Sequence, residues 1–131
     1  MYDVIVIGGG PGGYAAGIRS AQLGGKVALL EPADLGGTCV NRGCLPTKMW
    51  LKAARLKKAI ETGETFGIKA SVENIDLAKI VERKQGIPND IKMGMNALCA
   101  NNGIEVINEK GVLKSPHEVA AGGRILETKT V

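Results

Sequence analysis

Cys39 and Cys44 stand five positions apart in the run Gly36-Gly37-Thr38-Cys39-Val40-Asn41-Arg42-Gly43-Cys44-Leu45-Pro46-Thr47-Lys48. Two thiols at such a spacing can cycle between dithiol and disulfide, pack as small apolar groups, or ligate a metal. The metal option is weakest, because the other soft or imidazole ligands are Cys99 and His117, without paired spacing; no metal is expected. On a regular helix a five-residue step rises about 7.5 Å and turns roughly 140°. That exceeds the ~7 Å limit between α-carbons for a disulfide. Bonding therefore needs a distorted helix start, for which Gly43 and Pro46 supply the means. Thiols placed where a helix begins, beside loop glycines, sit in a field that favours the thiolate. A redox dithiol ranks ahead of packed thiols, and both stay open on residue chemistry alone.

A second constellation precedes it. Gly8-x-Gly10-x-x-Gly13 follows the apolar run Val4–Ile7 and opens a helical pattern, the context a dinucleotide fingerprint requires. The first glycine makes a tight turn, the second admits backbone close to a pyrophosphate, and the third lets helix and strand pack closely. The helix start then offers free N–H groups and its positive dipole end to the phosphates. Glu31 lies eighteen residues past Gly13, at the end of the next strand. It suits the acid that accepts hydrogen bonds from an adenosine ribose, and it would repel a 2′-phosphate. The bland alternative, a glycine loop beside a solvated acid, leaves the five glycines among positions 8–13 without a reason. The fingerprint by itself does not distinguish FAD from NAD.

These residues need a frame. Val4–Ile7 reads as a buried parallel strand. From Gly13 a helix follows, with Ala16, Ile18 and Leu23 at near-helical spacing, stopped by Gly24-Gly25. Lys26–Leu30 is a second strand, completing a βαβ unit. Cys39–Glu61 is helical in composition but interrupted by Gly43 and Pro46. Asp76 caps another helix running toward Asn102-Gly103, with apolar positions Leu77, Ile80, Ile87, Ile91, Met95 and Leu98 and an expected kink at Gly86 and Pro88. Ile104–Ile107 is a third parallel strand. An antiparallel meander follows: Val112–Ser115, Glu118–Ala121, a Gly122-Gly123 turn, and Arg124–Thr130. The expected fold is α/β and Rossmann-like, a three-stranded parallel sheet with helices plus a small meander, in one domain over residues 1–131.

Composition narrows the partners. The 131 residues carry 17 Lys and Arg against 13 Asp and Glu, a net charge of +4 too mild and scattered to imply nucleic acid. Four aromatic residues, Tyr2, Tyr14, Trp50 and Phe66, make no base-stacking platform. Apolar runs of a handful of residues exclude a membrane span, and the start of the chain has no basic signal region. A cytoplasmic setting is expected. Gly, at 19 copies, is about twice its usual ~7% share, so some glycines serve backbone geometry. Lys52, Arg55, Lys57 and Lys58 read as a solvated helix face, and Cys99 as a packed helix residue.

The thirteen-residue run from Gly36 to Lys48, with the fingerprint before it, resembles the active-site signature of the flavoprotein disulfide reductases. The resemblance covers the whole chain. It implies that Cys44 lies against a flavin as the charge-bearing thiolate and that Cys39 is the thiol exchanging with substrate. It implies FAD as cofactor, lined by Gly8, Gly10, Pro11, Gly12, Gly13, Glu31, Gly36, Gly37, Thr38 and Gly111. Lys48 would set an ammonium near the isoalloxazine. Pro46-Thr47-Lys48 is similar to the dihydrolipoamide dehydrogenase and mercuric reductase branches, and Asn41-Arg42-Gly43 to many bacterial lipoamide dehydrogenases. The implied reaction is oxidation of dihydrolipoyl groups by NAD, with the lipoyl groups belonging to a 2-oxo acid dehydrogenase or glycine cleavage complex, in a homodimeric enzyme. Met49-Trp50 looks more like glutathione reductase. A glutathione or mercuric reductase type, or an inactive FAD- or nucleotide-binding module, are the alternatives. Family members run to several hundred residues and carry a catalytic His-Glu pair that His117 does not match. The chain is therefore expected to be an amino-terminal FAD-domain portion without the NAD and interface domains, and without NAD-dependent turnover of its own.

Overall fold

The computed structural model describes residues 1–131; the side chain of Ile87, one of the expected apolar positions, lies outside the described residues. Strand β1 (Tyr2–Ile7) leads into helix α1 (Pro11–Gln22), then β2 (Val27–Leu30), α2 (Gly37–Asn41) and α3 (Cys44–Thr62). After a 3₁₀ turn over 63–66 come α4 (Leu77–Asn101), β3 (Glu105–Ile107), β4 (Val112–Ser115), β5 (Glu118–Ala121) and β6 (Arg124–Thr130). Among the described residues no helix is long and apolar enough to cross a membrane.

The strands form one sheet in the order β3-β2-β1-β6-β5-β4. β2 lies parallel to β1, with Val4 opposite Val27 and Ile7 opposite Leu30, and β3 lies parallel to β2, with Leu30 opposite Ile107. The three expected parallel strands are present, but they are not separate from the meander. β6 pairs antiparallel with β5 through Arg124–Glu127. Its far end then pairs parallel with β1, Tyr2 opposite Thr128 and Val4 opposite Thr130. The reason is length: seven residues let one strand serve two neighbours in succession.

Strand β2 is buried at all four residues, as its unbroken Val-Ala-Leu-Leu run requires for a sheet covered on both faces. Side chains alternate across it. Val27 and Leu29 pack on one face with Leu35, Val40, Met95, Cys99 and Ile104. Ala28 and Leu30 pack on the other with Ile5, Ile107, Val119 and Ala121. Cys99 is fully buried, and burial pushes its thiol pKa up, in keeping with a packed residue.

Two helix expectations are refined. α4 starts where Asp76 caps it, the carboxylate accepting the Lys79 N–H at 3.0 Å. It then continues through Gly86 and Pro88 as one 25-residue helix, so the expected kink makes no break. The Cys39–Glu61 stretch does break at Gly43 but not at Pro46. Pro46 falls in the first turn of α3, where a missing N–H costs no intrahelical bond.

Candidate functional site

Ile7 and Leu30 end neighbouring parallel strands, and the chain folds three segments over their carboxyl ends. The first is the glycine turn. Gly8 adopts φ +104° and its N–H donates to the Leu30 carbonyl at 2.8 Å. A methyl group on Gly13 would overlap the Gly8 carbonyl oxygen, so this closeness of turn and helix admits only glycine. Pro11 is the first helical residue of α1, and the Tyr14 N–H closes the first turn onto Gly10 at 3.0 Å. Nothing lies within 4 Å of the space above Gly10 and Gly12, so their backbone is open to a ligand. No acidic residue occupies that first turn. Bare N–H groups at the positive end of a helix dipole suit a phosphate.

The second segment leaves β2 at Glu31. Its carboxylate accepts the Gly9 N–H at 2.9 Å through one oxygen and the Ala33 N–H at 3.1 Å through the other. These bonds hold the acid at the turn while each oxygen keeps a lone pair for a hydroxyl. The third segment is the crossing from β3 to β4. A methyl group on Gly111 would stand 2.9 Å from Leu30 and 3.2 Å from Ile7, so glycine lets this backbone lie directly over both strand ends. In open α/β sheets ligands bind in that crevice, outside the carboxyl ends of the strands.

The cysteines lie beside it. The 34–37 loop is fastened to the turn by the Gly36 N–H, which donates to the Gly9 carbonyl at 2.8 Å. A methyl group on Gly37 would come within 2.9 Å of the Gly10 α-carbon. α2 then carries Cys39, ends at Asn41, and turns through Arg42 and Gly43 into α3, whose first residue is Cys44. Cys39 and Cys44 form a disulfide with α-carbons 4.6 Å apart. The distortion that a five-residue step demands is therefore the junction at Gly43. A methyl group there would stand 3.0 Å from the Thr38 carbonyl oxygen and 3.5 Å from the Cys39 α-carbon. Glycine is what lets the second helix start against the flank of the first.

The two sulfurs differ in setting. Cys44 is exposed and opens a 19-residue helix, whereas Cys39 is half-buried within a five-residue one. The Cys44 and Leu45 N–H groups precede the first α3 bond, from the Thr47 N–H to the Gly43 carbonyl at 3.0 Å, and Pro46 has no N–H. A thiolate at Cys44 gains from these donors and from the dipole. Lys48, one turn on, is exposed.

A cavity of about 640 Å³ opens between this segment and α4, lined by Glu31, Gly37, Thr38 and Arg42 and by Lys84 and Lys92 of α4. The Lys92 ammonium meets the Asp34 carboxylate at 2.8 Å, tying α4 to the 34–37 loop. Gly8, Gly10, Pro11, Gly12, Gly13, Lys48 and Gly111 do not line that cavity, nor does either cysteine. The expected site residues thus do not all share one pocket. Sequence reasoning missed Gly9, which orients Glu31, and the side chain of Asn41, which holds the 34–37 loop; their signals are the glycine run and an amide between the cysteines. Lys52, Arg55, Lys57 and Lys58 are exposed as expected, with Lys57 paired to Glu61. His117 is exposed in the β4–β5 turn, away from the cysteines in the fold.

The family model for pyridine nucleotide-disulphide oxidoreductases matches residues 2–131. A dihydrolipoyl dehydrogenase of Acholeplasma laidlawii is 44% identical over 131 residues, covering 99% of this chain and 39% of the relative. Dihydrolipoyl dehydrogenases of Chlamydia muridarum and Thermus scotoductus are each 43% identical, over 90% and 93% of this chain but only 25% and 26% of their own lengths. The chain thus spans between a quarter and two fifths of the length of these relatives. Because that family model matches residues 2–131, almost the whole of this chain, the chain belongs to the pyridine nucleotide-disulphide oxidoreductase family.

Proposed function

We propose that residues 1–131 are the FAD-holding, disulfide-bearing unit of an enzyme that oxidises dihydrolipoyl groups with NAD. The observation that carries this reading is the Cys39–Cys44 disulfide at the start of α3, beside the glycine turn and Glu31. The residues present fit an extended dinucleotide: the open backbone of Gly10 and Gly12 suits the pyrophosphate and Glu31 the ribose hydroxyls. Gly8, Pro11, Gly13, Gly36, Gly37 and Thr38 shape that cradle, Gly111 closes its far side, and Lys48 supplies positive charge near the disulfide. Bound flavin supplies a two-electron acceptor for the reduced pair, with a nicotinamide nucleotide beyond it as the final sink.

The step that this chain's own residues perform is thiol–disulfide exchange. One thiolate of the dihydrolipoyl group attacks the Cys39 sulfur, breaks the Cys39–Cys44 bond and releases Cys44 as a thiolate. The second lipoyl thiolate then attacks the lipoyl sulfur of the mixed disulfide and releases Cys39. The lipoyl group leaves as a cyclic disulfide, having given up two electrons and two protons. The two cysteines hold the electrons, and the protons go to Cys39 and to solvent. Release of charge onto Cys44 is favoured by the helix start it occupies. The lipoyl partner would be that of a 2-oxo acid dehydrogenase or glycine cleavage complex, and the whole enzyme a homodimer.

Mixing the oxidised chain with dihydrolipoamide tests this directly. One equivalent of oxidised lipoamide should form per chain, with two cysteine thiols appearing together. A disulfide that dihydrolipoamide leaves intact would overturn the reading.

A further inference from the structure

The side chain of Asn41 does more than end a helix. Its Nδ2 lies 2.9 Å from the Gly37 carbonyl, 3.3 Å from that of Leu35 and 3.4 Å from that of Asp34. An amide nitrogen has two hydrogens, so three carbonyls share them. The loop it gathers has little conformational restriction of its own, because Gly36 and Gly37 take φ +101° and +56° in succession. Its shape is therefore set by outside ties. From the loop the hydrogen bonds run on: the Gly36 N–H to the Gly9 carbonyl at 2.8 Å, then the Gly9 N–H to Glu31 at 2.9 Å. Asn41 itself sits inside the small ring that the Cys39–Cys44 bond closes. Oxidation fixes the end of α2 against the start of α3; reduction opens that ring and frees the residues between.

We propose that Asn41 is a positioning residue that couples the Cys39–Cys44 pair to the nucleotide-facing turn, so that the redox state of the pair is felt at Gly9 and Glu31. The proposal rests on reading the pair as the redox centre. The disulfide is the element with two discrete states, as coupling requires, and Asn41 is the side chain that links its ring to the loop. A purely structural asparagine would hold the loop equally in both redox states.

The 131-residue chain is small enough for amide-by-amide magnetic resonance, with dithiothreitol as the reductant and no cofactor added. Reduction of the wild-type chain should shift the amide signals of Gly9 and Gly36 along with those of residues 38–47. In Asn41→Ala the shifts near the cysteines should persist while those at Gly9 and Gly36 fall at least threefold. Thermal melting checks that the variant is folded, and Asn41→Ser serves if alanine is not tolerated. Unchanged reduction-linked shifts at Gly9 in the folded variant would overturn the proposal, as would their absence in wild type. Because no flavin is present, a chain that fails to bind FAD would sink the cofactor reading and leave this result readable. A pair that cannot be oxidised would overturn both.

Discussion

The α-carbons of Cys39 and Cys44 stand 4.6 Å apart because the two residues belong to different helices that meet at Gly43. Had α2 continued unbroken, the same five-residue step would have carried the second cysteine about 7.5 Å along the axis and off to another side. The break brings the sulfurs into bonding range and also places Cys44 at the first position of a long helix. Proximity and thiolate stabilisation thus come from one backbone feature.

Gly43→Ala tests that feature. Its methyl group would meet the Thr38 carbonyl oxygen at 3.0 Å, and both are backbone-bound, so the junction must give by a few tenths of an ångström. A cost of about 1–3 kcal/mol in stability is expected for such overpacking. The disulfide should also become easier to reduce, seen by counting free thiols in dithiothreitol redox buffers.

The three cysteines should react in two classes. After reduction, Cys39 and Cys44 should take up a thiol reagent quickly in the folded chain. Cys99, fully buried and with its pKa raised by burial, should react only as the chain unfolds. Mass spectrometry after timed alkylation would show two fast additions and one slow one; three fast additions would contradict the packing.

The glycine turn, the acid eighteen residues on and the cysteine run were legible because each is a local pattern with a local cause. The strands and the Asp76 cap were legible for the same reason. The double pairing of β6 was not, since nothing in Arg124–Thr130 marks where one neighbour gives way to another. Nor was the tolerance of Pro46, which depends on where α3 begins. Asn41 stayed silent because an amide announces no partner; its three carbonyls come together only once Gly36 and Gly37 have turned the loop.

Glu31→Gln should weaken FAD binding by about five- to tenfold, the loss of roughly 1–1.5 kcal/mol expected when a hydrogen bond to a charged group becomes a neutral one. The fold should survive, because the amide oxygen can still accept one of the Gly9 and Ala33 N–H bonds. Fluorescence titration with FAD measures the effect, and equal affinity would remove Glu31 from the site.

Acid stability reports on the other end of the sheet. The Asp3 carboxylate meets the Lys129 ammonium at 2.6 Å and accepts the Lys26 N–H at 2.8 Å, joining β1 to β6 and to the start of β2. These two contacts, the lysine first, hold its carboxyl below the usual carboxylate range. A lowered folded-state pKa means the contribution is present above the unfolded value of ~3.9 and is lost as pH falls through the folded value. Asp3→Asn should therefore melt below wild type at neutral pH, and the gap should close on acidification. A gap that widens with falling pH would reverse the sign and contradict the pairing.

The most direct test is the visible spectrum of the FAD-reconstituted chain during stepwise addition of a dithiol. A Cys44 thiolate lying against the flavin predicts a long-wavelength charge-transfer band that grows as the disulfide opens, survives Cys39→Ser and is absent in Cys44→Ser. Bound flavin with no such band, or a band that persists in Cys44→Ser, would contradict the assignment of the two sulfurs. A chain that retains no flavin at all would contradict the cofactor site on which it rests.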